Sequence, residues 1–334
     1  MLNVGVVGCG GIATSRHLPS WRAMHAKIVA VADSNQARAT TAADRYGAVA
    51  YQTLADLLRN PQVSVVDICT PIELHAEQVI QSLDAGKEVI VEKPMAVSAD
   101  ECKRMIQAAK KNNCRLFVAH TFRYYPAIKR LHEWIGDNKL GETRLLSSIV
   151  GNDADPRHPL WKRALWEFGL HRIDLVRHLL GEITYVDADF LEQKCLLIKL
   201  GTSNGAAVLT IVDGKVGEEI LVCGTTADAW IPSLALDVAI LNRYGVASYN
   251  IETIKTNLRR STHFGYSLAH SSIRHALLGV KATAHYSCLH DFAEALVTKK
   301  NSALVSADDG LAAVKCLETI DSIIQRKEGV SKPS

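Results

Sequence analysis

The sequence predicts an α/β fold with a parallel sheet in its N-terminal part and an open, mostly antiparallel sheet in its C-terminal part. In the first 120 residues, short apolar segments alternate with helical patterns, which is typical of parallel strands joined by crossover helices. Beyond residue 180, short strand patterns follow one another with turn residues such as Asp213 and Gly214 between them, which indicates hairpins of an antiparallel sheet.

The strands of the N-terminal part are predicted from short segments rich in Val, Ile and Ala. The segment 28–32 is apolar throughout, which is typical of a strand buried on both faces of a sheet. The predicted strands are 2–7, 28–32, 65–69, 88–92 and 115–119. Helical patterns lie between and after these strands at 11–24, 35–46, 53–59, 73–85 and 98–112.

The C-terminal part begins with a helical pattern and then changes to a series of strands. Helices are predicted at 126–137, 161–180, 287–299 and 307–327. Strands are predicted at 143–150, 184–191, 194–200, 205–213, 218–224 and 236–243. Residues 250–285, which hold many His, Arg and Ser residues, are predicted to be less regular. We therefore predict two domains, residues 1–122 and residues 123–334.

Composition and charge exclude several classes of protein. The 334 residues are 48% hydrophobic with a net charge of +3, and no basic run interleaves with aromatics, which argues against a nucleic-acid or membrane partner. The eight cysteines form no CxxC pair, which fits a reducing compartment. The N-terminus shows no signal-peptide pattern, and no apolar run approaches the ~18 residues of a bilayer span. We expect a cytoplasmic protein.

A glycine-rich turn follows the first predicted strand. Gly8, Gly10 and Ala13 fit the pattern G-x-G-x-x-A, which lets a backbone turn and a helix N-terminus approach a pyrophosphate. Asp33 ends the second strand, twenty residues after Ala13, where a carboxylate bonds ribose hydroxyls and repels a 2′-phosphate. The sequence therefore predicts a Rossmann dinucleotide-binding domain that favours NAD, with NADP still possible. The residues expected to contact the cofactor here are Gly8, Gly10, Gly11, Ile12, Ala13, Asp33, Ser34 and Arg38.

A second motif, Glu92-Lys93-Pro94, directly follows the strand predicted at 88–92. It lies about eighty residues after the glycine-rich turn, and both motifs come at the carboxyl end of a predicted strand. In an open α/β sheet, ligands bind at the edge where the carboxyl ends of the strands meet. We therefore expect Lys93 to meet a substrate beside the dinucleotide.

Further motifs complete a recognisable series. They are Thr70-Pro71 with His75, Phe122-Arg123-Tyr124, and Glu167 to Asp174 with His171 between them. Together with the glycine-rich turn and the Glu-Lys-Pro triplet, they resemble the Gfo/Idh/MocA oxidoreductase family over essentially the whole chain. The resemblance implies a Rossmann domain followed by an α/β domain on an open, largely antiparallel sheet. It adds Thr70, Pro71, His75, Glu92 and Lys93 to the expected cofactor residues.

The resemblance also implies an activity and an assembly. The family transfers a hydride between a nicotinamide and a carbinol carbon, usually on a sugar or cyclitol, and many members are homodimers or homotetramers. Two positions differ from the common family pattern, because Ile72 replaces an Asn and Glu167 replaces an Asp. The substrate contacts that the resemblance implies are Arg123, Tyr124, Arg157, Trp161, Arg163 and Asp174, with His158 nearby.

The helix predicted at 161–180 carries titratable groups at a helical spacing. Glu167, His171, Asp174 and His178 are four, three and four residues apart and are therefore predicted to share one face. Such a face on a largely apolar helix is typical of a lined cleft. Glu167 and His171 are also spaced as two metal ligands would be. No third ligand has a diagnostic spacing, so we predict no metal.

The mechanism that these residues suggest is alcohol oxidation. His171 is the predicted base for the hydroxyl proton, because its unperturbed pKa lies near ~6.5. Lys93 would bond the same oxygen and stabilise developing alkoxide charge, and Glu167 would bind an adjacent hydroxyl. Asp174 could instead orient His171 or complete a packing network.

Three functions remain open from the sequence. The first is an NAD(P)-dependent dehydrogenase or reductase acting on a secondary alcohol of a sugar, sugar derivative or cyclitol. The second is an NAD-dependent glycosidase that oxidises its sugar transiently. The third is a non-catalytic nucleotide-binding sensor, against which the joint presence of Lys93, Glu167 and His171 argues.

Overall fold

The computed structural model describes residues 2–152, 164–191, 194–214, 217–234, 237–243, 251–298 and 305–327. The chain forms two compact units. Unit 1 comprises Met1–Thr121 and Leu278–Lys315, and unit 2 comprises Phe122–Leu277 and Cys316–Ser334. The predicted domain boundary after residue 122 stays a prediction, because a compact unit need not fold as an independent domain.

The helices of the described residues follow most of the predicted helical patterns. They are α1 (Leu18–Ala23), α2 (Gln36–Tyr46), α3 (Leu54–Leu58), α4 (His75–Asp84), α5 (Ala99–Lys111), α6 (Pro126–Gly136), α7 (Leu170–Leu180), α8 (Ile251–Leu278), α9 (Ala284–Thr298) and α10 (Ala307–Lys327). Two π-helical turns precede α1 and α7, at Ala13–His17 and Leu165–Gly169. None of the helices in the described part of the chain is long and apolar enough to cross a membrane.

A six-stranded parallel sheet is the centre of unit 1. Its strands are β1 (Asn3–Val7), β2 (Lys27–Ala32), β3 (Val49–Tyr51), β4 (Val65–Ile68), β5 (Glu88–Val91) and β6 (Leu116–Val118). Their order is β3-β2-β1-β4-β5-β6, and every neighbouring pair is parallel. The predicted parallel sheet is confirmed. β3 was not predicted from the sequence; it has only three residues, none of them buried.

Aromatic side chains attach α9 to the sheet and to α1 within unit 1. The Phe292 ring lies 4.7 Å from the Phe117 ring and 6.3 Å from the Trp21 ring, centroid to centroid. Trp21 is fully buried and Phe292 is 1% exposed. Because burying one large apolar side chain stabilises a fold by about 1.5–3 kcal/mol, these contacts explain why residues 278–315 pack in unit 1.

A seven-stranded sheet is the centre of unit 2. Its strands are β7 (Thr143–Asn152), β8 (Ile183–Leu191), β9 (Cys195–Thr202), β10 (Gly205–Asp213), β11 (Glu219–Gly224), β12 (Ala227–Ile231) and β13 (Ile240–Arg243), in the order β13-β12-β11-β7-β10-β9-β8. Only β7 and β10 pair in parallel, and the other neighbours are antiparallel. This confirms the predicted mostly antiparallel sheet. β12 was not predicted.

The sheet of unit 2 buries one face and leaves the other partly exposed. Along β9 to β12, fully buried positions alternate with half-buried ones. The buried row includes Leu146, Ile198 and Leu209, whereas Leu197, Leu221 and Trp230 lie on the other, open face. The alternation follows from the period of two in a strand, and it leaves half-buried apolar side chains on the open face.

The region predicted to be irregular is the clearest error of the sequence analysis. Residues 251–278 form the single long helix α8. The helix ends before Gly279, a residue whose φ is +53°. His, Arg and Ser residues were interpreted as features of a loop, but the segment contains no proline and a single glycine, Gly265. Polar side chains are compatible with a helix whose described side chains are mostly exposed.

Candidate active site

The glycine-rich turn lies where the direction of the unit 1 sheet reverses. The neighbours of β1 are β2 and β4, so the turn after β1 lies beside the end of β4. Gly8 has a φ of +88°, and a Cβ on it would lie 2.8 Å from the carbonyl carbon and oxygen of Cys69. Its N–H donates to Ala32 O over 2.8 Å. Only glycine fits this close approach between the turn and the Cys69 backbone. The approach lies at the switch point, where doubly wound sheets bind ligands.

Beyond Gly8, the turn is open. A Cβ on Gly10 or Gly11 would meet no atom within 4 Å, whereas Ala13 is fully buried against the sheet. Ile12 is half-buried and precedes the π-helical turn. Backbone without side chains at the start of a helix is the cradle that a pyrophosphate requires, so these residues fit a dinucleotide.

Asp33 is held by the backbone on both sides. Its Oδ2 accepts a hydrogen bond of 2.8 Å from Cys9 N in the glycine-rich turn, and its Oδ1 accepts one of 2.8 Å from Asn35 N. Ser34 and Arg38 are exposed beside it. Burial and the charge of Asp33 raise the pKa of the Cys9 thiol to about 12, so this cysteine is a neutral packing residue at physiological pH. The carboxylate is thus fixed next to the turn.

His75 connects the two loops that carry the other family motifs. Its Nδ1 lies 2.9 Å from Pro94 O and its Nε2 lies 2.8 Å from Thr70 O, and the ring is 1% exposed. Thr70 Oγ1 donates to Gln78 Oε1 over 2.6 Å. This geometry favours a scaffolding role for His75, and its predicted contact with a cofactor stays a prediction, as does that of the exposed Pro71.

Glu92 and Lys93 follow β5, two strands from the glycine-rich turn. Glu92 is 8% exposed, and its Oε2 accepts a 3.0 Å hydrogen bond from Lys93 N. Its Oε1 accepts a 2.8 Å hydrogen bond from His17 Nε2. The Lys93 side chain is half-buried. The hydrogen bonds of Glu92 therefore anchor the triplet, and they hold the backbone that carries the Lys93 side chain.

The partner of Glu92 belongs to a buried network that the sequence analysis missed. His17 Nδ1 donates to Asp67 Oδ2 over 2.9 Å, and Trp21 Nε1 donates to the same oxygen over 2.6 Å. His17 and Asp67 are both fully buried. The sequence feature that could have indicated the network is Asp67, because a carboxylate inside an otherwise apolar parallel strand requires a partner.

The charges of this network are set by its contacts. Burial lowers the pKa of His17, but the charge of Asp67 and its hydrogen bond outweigh burial and raise it well above 6.5. Burial likewise opposes the ionisation of Glu92, but the hydrogen bond and charge of His17 lower its pKa to about 2. Mainly through burial, the pKa of the neighbouring His285 falls to about 4. His17 is therefore a cation between two carboxylates, and His285 is neutral.

In the described part of the chain, one group of side chains has the spacing of a metal site. Atoms of His17, Asp67 and Cys69 lie within 4.8 Å of one another. A metal would need a thiolate and a free imidazole nitrogen. Burial raises the pKa of Cys69, and both nitrogens of His17 donate to carboxylates. Hydrogen bonding therefore accounts for this group.

In unit 2, the predicted catalytic residues begin at the π-helical turn Leu165–Gly169. Glu167 lies in this turn and is exposed, whereas His171 lies in α7 and is 8% exposed. The His171 ring stacks on Phe122 with 3.9 Å between centroids and 6° between planes. π-helical turns are frequent at functional sites. Glu167 lies in this turn and His171 lies in the α-helix that follows it. The regular α-helical spacing predicted for the two residues is therefore not observed.

The next polar residues of α7 are engaged within unit 2. Asp174 is fully buried and pairs with Arg123, whose Nε donates to Oδ2 over 2.9 Å and whose Nη2 donates to Oδ1 over 2.5 Å. The His178 ring stacks on His132 at 4.4 Å. The pairing favours a packing role for Arg123 and Asp174 beside α7, and their assignment to substrate binding stays a prediction.

The remaining predicted substrate residues divide into two groups. Tyr124 is 4% exposed, and Lys129 Nζ lies 5.2 Å from the centroid of its ring. The others lie outside the described residues: Arg157, His158, Trp161 and Arg163.

Comparison with known proteins agrees with these motifs. Residues 2–120 match the Gfo/Idh/MocA oxidoreductase family with an NAD-binding Rossmann fold. Over 208 residues, the chain is 33% identical to levoglucosan dehydrogenase from Pseudarthrobacter phenanthrenivorans, a match that covers 56% of this chain and 53% of the relative. Over 186 residues, it is 32% identical to inositol 2-dehydrogenase from Salmonella agona, covering 54% of this chain and 55% of the relative. The chain thus spans about half the length of these relatives.

A solved structure extends the likeness in fold to the whole chain. The WlbA dehydrogenase from Bordetella pertussis, crystallised with NADH and UDP-GlcNAcA, superposes with a TM-score of 0.76 at 18% identity, covering 98% of this chain and 97% of that chain. At this identity the likeness concerns the fold alone. Residues 2–120 thus match the Gfo/Idh/MocA oxidoreductase family, which confirms the resemblance inferred from the motifs.

Proposed function

We propose that this protein is an NAD-dependent oxidoreductase that transfers a hydride between nicotinamide and a secondary alcohol carbon of a sugar, sugar derivative or cyclitol. The observation that carries the proposal is the placement of Lys93. It follows β5 of the same sheet whose β1 ends in the open glycine-rich turn, and its backbone N–H is held by Glu92. A lysine fixed at the ligand-binding edge of a dinucleotide fold suits a role on the reacting oxygen.

The preference for NAD rests on Asp33. Its carboxylate is fixed beside the glycine-rich turn by Cys9 N and Asn35 N. A negative charge at this place would bond the ribose hydroxyls of NAD and repel the 2′-phosphate of NADP. The exposed Arg38 is the nearest cation in sequence that could favour NADP instead.

The proposed roles of the side chains follow from their chemistry. Nicotinamide, when bound, accepts or supplies the hydride. Lys93 would hydrogen-bond the substrate oxygen and stabilise alkoxide charge as its proton leaves. His171 would take that proton, and the stack with Phe122 would hold its ring plane. Glu167, which is exposed, would bind a neighbouring hydroxyl.

The substrate class is inferred from the relatives. Levoglucosan and inositol appear in the names of two matched relatives, and these compounds are a sugar derivative and a cyclitol. We therefore propose a polyhydroxylated ring as the substrate.

The test is a substrate panel. Purified protein is mixed with NAD, and separately with NADP, against cyclitols, free sugars, sugar phosphates and nucleotide sugars, and the absorbance of reduced nicotinamide is followed. We expect reduction of NAD with one substrate class, and a weaker response with NADP. If no substrate of the panel gives reduced nicotinamide although the protein binds nucleotide, net hydride transfer is contradicted. That result would favour the glycosidase or the sensor.

We also propose that the open face of the unit 2 sheet carries a homo-oligomer contact. Half-buried apolar side chains, including Leu197, Leu221 and Trp230, lie on this face. Apolar side chains left partly exposed on one face of a sheet commonly mark an interface. Light scattering on the purified protein should give two or four times the chain mass, and Leu221→Asp should lower it. A single chain mass at all concentrations would contradict the proposal.

A further inference from the structure

A chain of hydrogen bonds runs through the interior of unit 1 and ends at the backbone of Lys93. Trp21 Nε1 donates to Asp67 over 2.6 Å, and His17 Nδ1 donates to the same carboxylate over 2.9 Å. His17 Nε2 donates to Glu92 Oε1 over 2.8 Å, and Glu92 Oε2 accepts from Lys93 N over 3.0 Å. The links of 2.8–3.0 Å have the ordinary length of an N–H···O hydrogen bond, and the Trp21 link is slightly shorter.

This network is more than packing requires. Burial of charged groups is offset only when their geometry is good, and apolar side chains of similar volume often stabilise a fold as well or better. What a charged pair adds is direction, because a carboxylate that accepts one hydrogen bond on each oxygen cannot rotate freely. The rotation of the Glu92 carboxylate is thus fixed by His17 on one side, and the other oxygen is left for Lys93 N.

His17 also connects this anchor to the nucleotide turn. It is the last residue of the π-helical turn Ala13–His17, which begins at the alanine of the G-x-G-x-x-A pattern. The ring is buried beside His285, 6.0 Å between centroids, and beside Cys69, which bonds Asp67. His285 is neutral, as described above, so the positive charge that faces Glu92 from the interior lies on His17.

We propose that His17 is a positioning residue for Lys93, acting through Glu92. This rests on the proposed function, in which Lys93 contacts the substrate oxygen. The imidazolium orients the Glu92 carboxylate, and that carboxylate fixes the backbone from which the lysine side chain leaves. His17 itself, fully buried beneath the loop, does not touch the reacting atoms.

The first test is a double-mutant cycle measured as single-turnover rates on the substrate found in the panel. His17→Gln keeps one donor nitrogen but removes the positive charge and the second donor nitrogen. We expect it to lower the rate roughly 10- to 100-fold, since a small misplacement of a reacting group has effects of this size, while the Kd of the nucleotide stays unchanged. In a Lys93→Met background the same change should have little further effect.

A matched control separates positioning from loss of stability. Leu83→Ala removes a fully buried side chain from α4 and should lower Tm without changing the rate of the folded protein. Glu92→Gln should reproduce the effect of His17→Gln. If His17→Gln keeps the normal rate, or if it lowers the rate by the same factor in the Lys93→Met background, the proposal is overturned.

A second readout does not depend on activity. Lysines can be reductively methylated with ¹³C-formaldehyde, and the Lys93 signal can be assigned by its loss in Lys93→Arg. We expect His17→Gln to shift or broaden this signal, while Leu83→Ala leaves it unchanged. Identical Lys93 signals in the parent protein and His17→Gln would overturn the positioning role. If no substrate of the panel gives reduced nicotinamide but His17→Gln still alters the Lys93 signal, only the proposed function is rejected.

Discussion

A Cβ atom on Gly8 would lie 2.8 Å from the carbonyl carbon and oxygen of Cys69, so the turn after β1 touches the backbone at the end of β4. This contact places the glycine-rich turn at the switch point of the sheet, where doubly wound folds bind their ligands. The same edge carries Asp33 after β2 and Lys93 after β5. Four parallel strands therefore bring together residues that are distant in the sequence.

The two glycines of the turn are expected to respond differently to substitution. Gly8→Ala should destabilise the fold by at least about 1–2 kcal/mol, because its φ of +88° is a left-handed conformation and its Cβ would meet backbone. Gly10→Ala should leave Tm unchanged, because its Cβ meets no atom within 4 Å, but should weaken NAD binding about tenfold or more. Thermal unfolding and calorimetric titration with NAD measure both. Equal Tm values for the two variants would contradict this assignment.

The choice of cofactor is expected to depend on Asp33. Asp33→Ser removes the charge that would repel a 2′-phosphate and a strong acceptor for the ribose hydroxyls. We expect the ratio of kcat/KM for NAD to that for NADP to fall roughly 10- to 100-fold, the size of one or two charged hydrogen bonds. Thr41→Ala, at an exposed residue of α2 that is not among the expected cofactor contacts, is the control and should change the ratio little. An unchanged ratio in Asp33→Ser would show that another residue selects the cofactor.

The buried pair of Arg123 and Asp174 is expected to stabilise unit 2 only as a pair. Arg123→Ala leaves a fully buried carboxylate without its guanidinium partner, which should reduce the free energy of unfolding by about 3–5 kcal/mol. The double variant Arg123→Leu with Asp174→Leu should recover most of this loss, because no charge is then left buried. Urea unfolding of the three proteins measures the effect. A double variant no more stable than Arg123→Ala would argue against a mutual pairing.

The pH dependence of stability should carry a contribution from Glu92. Its pKa is lowered from 4.5 to about 2 in the folded protein, so the stabilisation is fully present above 4.5 and is lost as pH falls towards 2. A shift of this size corresponds to about 3 kcal/mol. The difference in unfolding free energy between the parent protein and Glu92→Gln should therefore shrink across this interval. A difference that stays constant from pH 6 to pH 3 would contradict the ionised pair with His17.

Most of the fold could be predicted from local patterns. Apolar strands and amphipathic helices have a clear period, and consecutive hairpins indicated the antiparallel sheet. β3 was missed because three half-exposed residues do not establish a period. α8 was missed because its polar residues resemble a loop, and α9 packs in unit 1 through Phe292, a tertiary contact that no local pattern specifies.

The candidate site was predictable where a motif carries its own physical reason. Gly8 and Asp33 have fixed positions relative to a strand, and the structure places both beside one another. The network of His17 could not be predicted in the same way, because its members are 50 and 75 residues from His17 and meet only through the strand order. The pairing of Arg123 with Asp174, 51 residues apart, depends on tertiary structure for the same reason.

One rate comparison shows whether Lys93 acts in hydride transfer. The formation of reduced nicotinamide from NAD and the substrate found in the panel is measured for the parent protein, Lys93→Met and the control Lys103→Met, an exposed lysine of α5. We expect Lys93→Met to lower the rate about 10²- to 10⁴-fold with nucleotide binding intact, and Lys103→Met to behave as the parent. Near-normal turnover in Lys93→Met would contradict the account.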